Sequence, residues 1–368
     1  MKSNARWMAV AVMSGALLGG AVISQADTKD AAEAKAISSY EAQQKAAAAA
    51  RAKDAAWKPT TTQVNLIQIG NSKKAGELKN FCLNTEGNIL ACIGSDLKVY
   101  SPKGDLLKTL PLKIKPAAVA VAKDGAIFVA GEGQIQKLDA AGKVLASAKS
   151  PVADEPVTIS KETEEMIKEM VKQTKRSFEQ EKANMKSSLE RRRSDFAALA
   201  VSGEDLFVTV GASSEFTYRV YRLNHALEQP KLVVEKLRGC CGQMNVQAND
   251  GKIWIPHNGR HQVESRDRDG KELAKFGKAG KVKPSDFGGC CEPKCMRVLP
   301  NGEILAAESG PPTCIKRFSA EGKFIEVVAL AETKGDCVRV TVEVSPDGKR
   351  YYMLDTTRDA IRVFEPKS

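Results

Sequence analysis

The sequence is short of the residues and motifs that mark the commonest metal, cofactor and catalytic sites. It has only three histidines among 368 residues. It contains neither the CxxCH motif of c-type haem attachment nor the paired CxxC motifs of a zinc ribbon. No Ser-His-Asp order, phosphate-binding loop or paired-carboxylate spacing stands out, so the motifs give no support for an enzyme. Long apolar runs are also scarce, and only one stretch approaches membrane length, which excludes a polytopic membrane protein.

The overall composition is that of a folded protein. Hydrophobic residues make up 42% of the chain and charged residues 27%, which excludes wholesale disorder. The length allows one large β or α/β domain, or two ordinary domains. The net charge is +11. For an exported chain a basic exterior favours anionic envelope surfaces or simple solubility, and we expect no nucleic-acid partner.

The N-terminus has the three regions of a secretory signal. Lys2 and Arg6 precede an apolar run over 7–23, and Ser24-Gln25-Ala26 places small residues before a cleavage point. We therefore predict a signal peptide over 1–26 and a periplasmic or extracellular location. The alternative is an uncleaved anchor, which would attach the chain to a membrane. In either case the rest of the chain lies where disulfide bonds can persist.

An Ala-rich segment over 27–60 follows the signal. Ala, Glu, Lys and Gln favour a helix, and Pro59 ends the pattern. Little apolar material is available for burial, so we expect a solvated helical spacer.

From residue 61 onward the sequence repeats. Six segments share the order strand, turn with glycine, strand, loop, strand, and recur about every 40–50 residues once one insertion is set aside, the signature of a β-propeller. Their turn glycines are Gly87, Gly125, Gly203, Gly251, Gly302 and Gly348. The last segment ends after three strands, and 64–70 is a spare strand that can complete it. We predict an all-β, six-bladed β-propeller over 61–368.

Two of the repeats carry a recognisable sequence motif. It runs Asp124-Gly125, Ile135, Asp139, Gly142, and a similar phrase surrounds Asn301-Gly302. In this the chain resembles the NHL-repeat class of six-bladed propellers, which are TolB-like in fold. That class includes binding platforms and some metal-dependent lyases and hydrolases, so the resemblance implies the fold and does not choose among the functions.

An insertion over 157–195 separates the second and third repeats. It contains no glycine or proline and suits one long helix, with Ser160 as N-cap and basic residues 191–193 at its C-terminal end. Its apolar residues form one narrow stripe. They are Ile167, Val171, Phe178, Met185 and Leu189. The helix either lies on its own propeller or pairs, through 160–193, with a partner or a second copy.

The cysteines concentrate on one predicted face of the disc. In a propeller, the connectors that enter each inner strand (a) and the loops between the second and third strands (b–c) share one face, here called the top. Cysteines recur in three consecutive connectors, 10–12 residues before the turn glycine. The connector cysteines are Cys240, Cys241, Cys290, Cys291, Cys295 and Cys337. The b–c loops add His257, Arg260, His261, Glu308, Cys314 and Arg358.

Three kinds of chemistry fit this face. The six connector thiols with His257 could ligate zinc or copper. The duplicated Gly-Cys-Cys motif could hold redox-active or vicinal disulfides. Alternatively, disulfides could simply staple neighbouring connectors. We expect Arg260, His261, Glu308 and Arg358 to contact a protein or small-molecule ligand.

The remaining cysteines and histidine carry weaker signals. Cys82 and Cys92 flank one turn and are either a cross-strand disulfide or two buried core residues. Setting them aside leaves seven top-face cysteines, so at least one is unpaired or coordinates something. His225 lies on the opposite face, where we expect it to be exposed.

The predicted function is an exported binding or scaffold module with a cysteine-rich ligand or metal site near the central channel. One alternative is a metal-dependent lyase or hydrolase, with His257 as ligand or base, Arg260 as anion clamp and Glu308 as second carboxylate. The other is an envelope protein that handles thiols or metals.

Overall fold

The computed structural model describes residues 42–71, 76–173, 177–239, 242–310, 312–333 and 337–367. The chain divides into two compact units, Met1–Trp57 and Lys58–Ser368. In the first unit residues 42–53 form a helix (α1), within the predicted spacer. The predicted signal peptide lies outside the described residues. Within the described part of the chain, no helix combines the length and the apolar character needed to cross a bilayer.

The second unit is a six-bladed β-propeller, which confirms the predicted fold. Each blade is a four-stranded antiparallel sheet, numbered here in chain order. Blade 1 has β2 (Leu78–Leu83), β3 (Ile89–Ile93), β4 (Asp96–Tyr100) and β5 (Leu106–Pro111). Blade 2 has β6 (Ala118–Val121), β7 (Ile127–Gly131), β8 (Gln134–Leu138) and β9 (Val144–Lys149). Blade 3 has β10 (Phe196–Ser202), β11 (Asp205–Gly211), β12 (Thr217–Asn224) and β13 (Lys231–Arg238).

The other three blades follow the same order. Blade 4 has β14 (Gln247–Asn249), β15 (Lys252–His257), β16 (Gln262–Asp267) and β17 (Glu272–Phe276). Blade 5 has β18 (Cys295–Val298), β19 (Ile304–Glu308), β20 (Thr313–Phe318) and β21 (Phe324–Ala331). Blade 6 has β22 (Val342–Val344), β23 (Tyr351–Asp355), β24 (Ala360–Pro366) and β1 (Thr61–Gln68).

The blades form because each repeat supplies apolar second strands and tight turns. Every residue of the second strands β3, β7, β19 and β23 is buried, while the fourth strands β5 and β9 are largely exposed. Buried side chains of adjacent blades pack against each other and form the core between the sheets. At the turn of blade 2, Gly125 has φ +84°. There the Asp124 carboxylate accepts the Ala126 N–H at 3.0 Å, which explains the repeated Asp-Gly.

The ring closes as the sequence predicts. Strand β1 pairs antiparallel with β24, so that Gln68 faces Ala360 and the N-terminal strand completes blade 6. The buried Asp359 carboxylate stabilises the join with blade 1 by accepting the N–H groups of Gly76 at 2.8 Å and Leu78 at 3.1 Å. Strand β1 thus covers the outer side of β24, which would otherwise be an unpaired edge.

The insertion is helical, but the prediction of one long helix is wrong. It forms α2 (Lys161–Gln173) and α3 (Phe178–Arg192), which contact each other. Ser177 caps α3 by accepting the Gln180 N–H, so the second helix has its own start signal inside the insertion. Glu164 of α2 pairs with Lys182 of α3 at 2.5 Å.

The two-helix arrangement buries much of the apolar stripe inside the chain itself. Ile167 on α2 and Leu189 on α3 are fully buried, and Val171, Phe178 and Met185 are half-buried. A single straight helix would expose a longer stripe to water, so two shorter ones are favoured by apolar burial.

Candidate functional site

The connectors and the b–c loops do share one face. A Cβ added at Gly131, Gly211 or Gly259 in a b–c loop would collide with the backbone of the connector that enters the same blade. The colliding partners are the carbonyl oxygens of Lys115, Arg192 and Arg238. Each loop thus packs against its own connector, as the predicted top face requires.

On this face the structure brings several predicted residues together between blades 4 and 5. We call this group the blade 4–5 site. It consists of His261, Cys290, Cys291, Glu292, Lys294, Glu308, Cys314 and Lys316. Its ionisable side chains are mostly buried, which is costly unless each charge is compensated.

Glu308 is the centre of the site. Its carboxylate forms a buried ion pair with Lys316 and accepts the Gly288 N–H at 2.6 Å. The Cys314 Sγ lies 3.9 Å from the other carboxylate oxygen. Lys316 also donates to the Asp286 carbonyl at 2.7 Å. Glu308 therefore holds the connector in place, rather than facing a ligand as predicted.

Glu292 is the second buried carboxyl group. One of its oxygens accepts hydrogen bonds from the Ser309 N–H, the Ser309 hydroxyl and the Gly310 N–H, at 2.7–3.0 Å. Burial raises the pKa of Glu292 to about 8, although the nearby Lys294 opposes the shift. Burial therefore favours the protonated form of this side chain.

The two adjacent thiols lie at the outer edge of the site. Cys290 is exposed and Cys291 is buried, and their sulfur atoms are 3.7 Å apart. A disulfide bond requires about 2.05 Å. The two sulfur atoms are therefore not bonded to each other, and Cys290 is open to solvent.

His261 is the nearest imidazole to these thiols. Burial lowers its pKa, while the proximity of Cys290 and Glu308 acts in the opposite direction. Within the described residues, its buried Nδ1 atom has no hydrogen-bond partner. A neutral imidazole nitrogen with a free lone pair can bind a metal or accept a proton.

His257 is not available for the predicted role of ligand or base. Its Nδ1 lies 2.7 Å from a Glu264 oxygen, and its Nε2 accepts the Arg238 N–H at 3.0 Å. Burial alone would raise the pKa of Glu264, but hydrogen bonds from His257 and Arg266 hold it at about 2. Both ring nitrogens are therefore engaged inside the protein, Nε2 with the backbone of Arg238 and Nδ1 with Glu264 of β16.

The two predicted arginines lie outside the blade 4–5 site. Arg260 is half-exposed and 3.9 Å from Glu264. Arg358 pairs with the buried Asp355 at 2.8 Å in blade 6.

The other predicted cysteines have different surroundings. Cys295 is fully buried in an apolar cluster, where burial raises its thiol pKa to about 12. Cys337 is half-buried in the connector to blade 6, with φ +56°. Cys240 and Cys241 lie outside the described residues. Among the described residues, Cys295 is therefore not part of the group formed by Cys290, Cys291 and Cys314.

Cys82 and Cys92 are core residues rather than a disulfide. Both are buried and unbonded in the apolar cluster between blades 1 and 2. In the strand register Cys82 faces Leu90 and Cys92 faces Asn80, so the two are not directly opposite. His225, expected to be exposed, is half-buried with its ring centroid 5.0 Å from that of Phe128.

Sequence reasoning missed the polar lining of the central channel. A cavity of about 220 Å³ lies along the inner strands of the blades. Two charged side chains line it, Arg297 of β18 and Glu343 of β22, which form an ion pair at 2.8 Å. Burial raises the pKa of Glu343 to about 7, and Arg297 opposes the shift.

A signal for this pair is present in the repeat alignment. Arg297 and Glu343 each stand five residues before their turn glycine, where blades 2 and 3 carry Ala120 and Ala198. Neighbouring repeats with opposite charges at one position of the inner strand point to a pair facing the channel.

Arg339 covers the top end of this channel. Its guanidinium lies 2.6 Å from the Gly242 carbonyl and 3.5 Å from the carbonyls of Lys79 and Ala117. These acceptors belong to the connectors of blades 4 and 2 and to β2, the inner strand of blade 1, so one side chain from the blade 6 connector bridges the ring. The channel and the blade 4–5 site are thus different places.

In the part of the chain that the structure describes, no three His, Cys, Asp or Glu side chains converge as they stand to hold a metal ion. The blade 4–5 site offers two adjacent thiols and a nearby imidazole, which would need to approach each other.

Comparison with known proteins identifies the fold class. No family model and no curated protein matches the chain. It is similar in structure to a protein of unknown function from Bacteroides thetaiotaomicron, with 12% identity, TM-score 0.55, and coverage of 83% of this chain and 76% of that one. It is also similar to a gluconolactonase from Xanthomonas campestris, with 11% identity, TM-score 0.50, and coverage of 86% and 99%. The chain is a six-bladed β-propeller of the architecture that both share.

Proposed function

We propose that this propeller is an exported, NHL-like binding module whose blade 4–5 site takes up a thiophilic ligand, a soft or borderline metal ion such as zinc or copper. The observation that carries the proposal is the 3.7 Å separation of the Cys290 and Cys291 sulfurs. Two thiolates bound at about 2.3 Å to one tetrahedral metal are about 3.8 Å apart. The dithiol is therefore already spaced for one metal ion.

His261 is the proposed third donor. Its Nδ1 is without a hydrogen-bond partner among the described residues, and its loop faces the thiol-bearing connector. A small movement of that loop would bring imidazole and thiolates onto one ion, while solvent or a partner occupies the fourth position. The buried Glu308–Lys316 pair keeps the connector rigid beneath them.

The test is metal binding by the reduced full-length protein. Zinc is titrated against a competing chelator dye, and bound metal is counted by mass spectrometry. We expect one site, lost in a Cys290→Ser/Cys291→Ser double variant and weakened at least tenfold in His261→Gln. Cys337→Ser is the matched control, because that cysteine occupies the equivalent connector of the next blade.

Two outcomes contradict the metal proposal. Undiminished zinc binding in the double variant would place the metal elsewhere, and a Cys240→Ser/Cys241→Ser variant would then examine the other doublet. Absence of zinc and copper binding, with a Cys290–Cys291 disulfide that forms reversibly on exchange with a small disulfide, would favour thiol–disulfide chemistry instead.

The lyase or hydrolase alternative has less support. Its predicted base, His257, is fully hydrogen-bonded inside the protein. The gluconolactonase shares only 11% identity with this chain, and that likeness extends to the fold alone.

The α2–α3 pair is the proposed partner surface. It leaves the top face next to blade 3, where Arg192 stacks over the Tyr218 ring at 4.7 Å and Arg193 bonds the Glu155 carbonyl at 2.7 Å. These contacts anchor its base. Replacing 163–189 with a short Gly-Ser linker should leave the propeller folded but abolish retention of partners or second copies; unchanged retention by pull-down and sedimentation would refute the proposal.

A further inference from the structure

Amide side chains are prominent on the wall of the central cavity. Four carboxamide side chains line it, Asn80, Asn245, Gln247 and Asn249, and the hydrogen bonds of the first three fix the direction of their amide groups. The oxygen of Asn80 accepts the Phe81 N–H and the Thr341 hydroxyl, both at 2.9 Å. These contacts fix which end of the amide is oxygen, because a backbone N–H can only donate.

Asn245 and Gln247 are oriented in the same way. The Asn245 oxygen accepts the Met296 N–H at 3.4 Å, and the Gln247 oxygen accepts from Arg297 at 2.7 Å. With all three oxygens engaged, the three NH₂ groups are left as donors at the cavity wall. Among the described residues none of these NH₂ groups has a protein acceptor.

The charged side chains at the cavity wall also favour an anionic ligand. Arg297 and Glu343 are the charged side chains that line the described cavity, and Arg339 adds a positive charge above it. Glu343 is 3% exposed and Arg297 is 29% exposed, so the cation of this pair is the more accessible partner. A ligand that accepts hydrogen bonds and carries negative charge is complementary to this wall.

We propose that the central channel is a second binding site, which holds a small anion, a carboxylate or a phosphate, between the three amide NH₂ groups and Arg297. A cavity of about 220 Å³ limits the ligand to a small molecule. This site is independent of the blade 4–5 site and uses none of its residues.

Glu343 makes the site sensitive to pH. Its neighbours are Arg297 and Cys295 of β18 and Cys82 of β2, and burial raises the pKa of both thiols so that they stay neutral. Protonation of Glu343, with its pKa of about 7, removes the one negative charge that competes for Arg297. Anion affinity therefore rises as the pH falls through 7.

The test uses the full-length protein with acetate and inorganic phosphate as probes, by calorimetry at pH 6 and pH 8.5 in buffers of matched ionic strength. We expect at least one probe to bind tenfold or more tightly at pH 6. Glu343→Gln should bind acetate equally at both pH values, because its side chain is always neutral and acetate is ionised throughout, whereas phosphate itself gains a charge between pH 6 and pH 8.5 and is compared only between wild type and variant at one pH. The two probes separate a carboxylate site from a phosphate site.

Asn245→Asp is the decisive variant. It keeps an oxygen for the Met296 N–H but replaces a donor by a negative charge, so anion binding should fall at least tenfold without loss of the fold. Arg297→Gln should also lose binding, and if it fails to fold the Arg297→Gln/Glu343→Gln pair replaces it. Absence of binding by both probes at pH 6, or unchanged binding in Asn245→Asp, would overturn the proposal.

Discussion

Substitution of Glu264 by glutamine gives a direct measure of the charge network that holds the blade 4 loop. Glu264 is fully buried and bonded to His257 at 2.7 Å and to Arg266 at 2.6 Å. Its pKa falls from the usual 4.5 to about 2 despite burial. At about 1.4 kcal/mol per pKa unit, the ionised form contributes about 3 kcal/mol to stability near neutral pH.

The sign of the pH dependence follows from the lowered pKa. A carboxyl group whose pKa is depressed on folding stabilises the protein above its unfolded value of 4.5, and this is lost as the pH falls towards 2. At pH 3 only about 1.4 kcal/mol of the contribution remains, by the same linkage relation. The difference between wild type and Glu264→Gln should therefore shrink from about 3 to about 1.4 kcal/mol between pH 6 and pH 3.

The assay is urea unfolding of both proteins at pH 6 and pH 3, with Glu235→Gln as an exposed control. Glu235 is half-exposed and 4.0 Å from Lys236, so its replacement should change the unfolding free energy by less than about 0.5 kcal/mol. If Glu264→Gln proves as mild as the control, or if its effect is the same at both pH values, the assigned role of the His257–Glu264–Arg266 network is refuted.

Three further predictions concern the same face and its packing. Glu308→Gln should lower the unfolding free energy by about 3–5 kcal/mol in urea titrations, because Lys316 would remain buried without its counter-ion; the exposed Glu321→Gln should have almost no effect. Gly131→Ala should lower the free energy of unfolding by about 1–3 kcal/mol, since its Cβ would collide with the Lys115 carbonyl. Gly310→Ala is the control, because its Cβ would make only ordinary contacts. Equal melting temperatures for the two variants would contradict the packing argument. Glu292→Gln should gain stability relative to wild type as the pH rises from 4.5 to 8, because a carboxyl group with a raised pKa loses its stabilising effect over that interval; a constant difference between urea midpoints at pH 5 and pH 8 would show that Glu292 ionises normally.

The fold was predictable because its signals are local and repeated. Each turn glycine and apolar strand recurs six times, so errors in any one repeat do not change the count. The last repeat lacks a fourth strand, and a spare strand precedes the first repeat. The two together predict that the N-terminal strand closes the ring, and β1 does pair with β24. The break between α2 and α3 was less visible, because Ser177 is also tolerated inside a helix.

The site was predictable to the level of a face and no further. The position of Cys290 and Cys291 in a connector placed them on the top face, near His261 and Glu308. Sequence position does not determine whether a side chain points to solvent or inward, and Glu308 and His257 are both used for internal contacts. The amide donors of the channel depend on hydrogen bonds between different blades, which no local pattern of residues specifies.

Ring closure by β1 also determines when the protein can finish folding. Gln68 pairs with a residue made about 290 positions later, which takes about 15–60 s at ordinary rates of synthesis. Until then β1 has no partner strand, and blade 6 lacks its outer one. Because every copy carries the same unpaired strand and the same vacant place, exchange of β1 between two nascent chains is the simplest misassembly open to this fold. Refolding at increasing protein concentration should thus yield a growing fraction of interlocked dimers, and a dimer yield independent of concentration would exclude exchange.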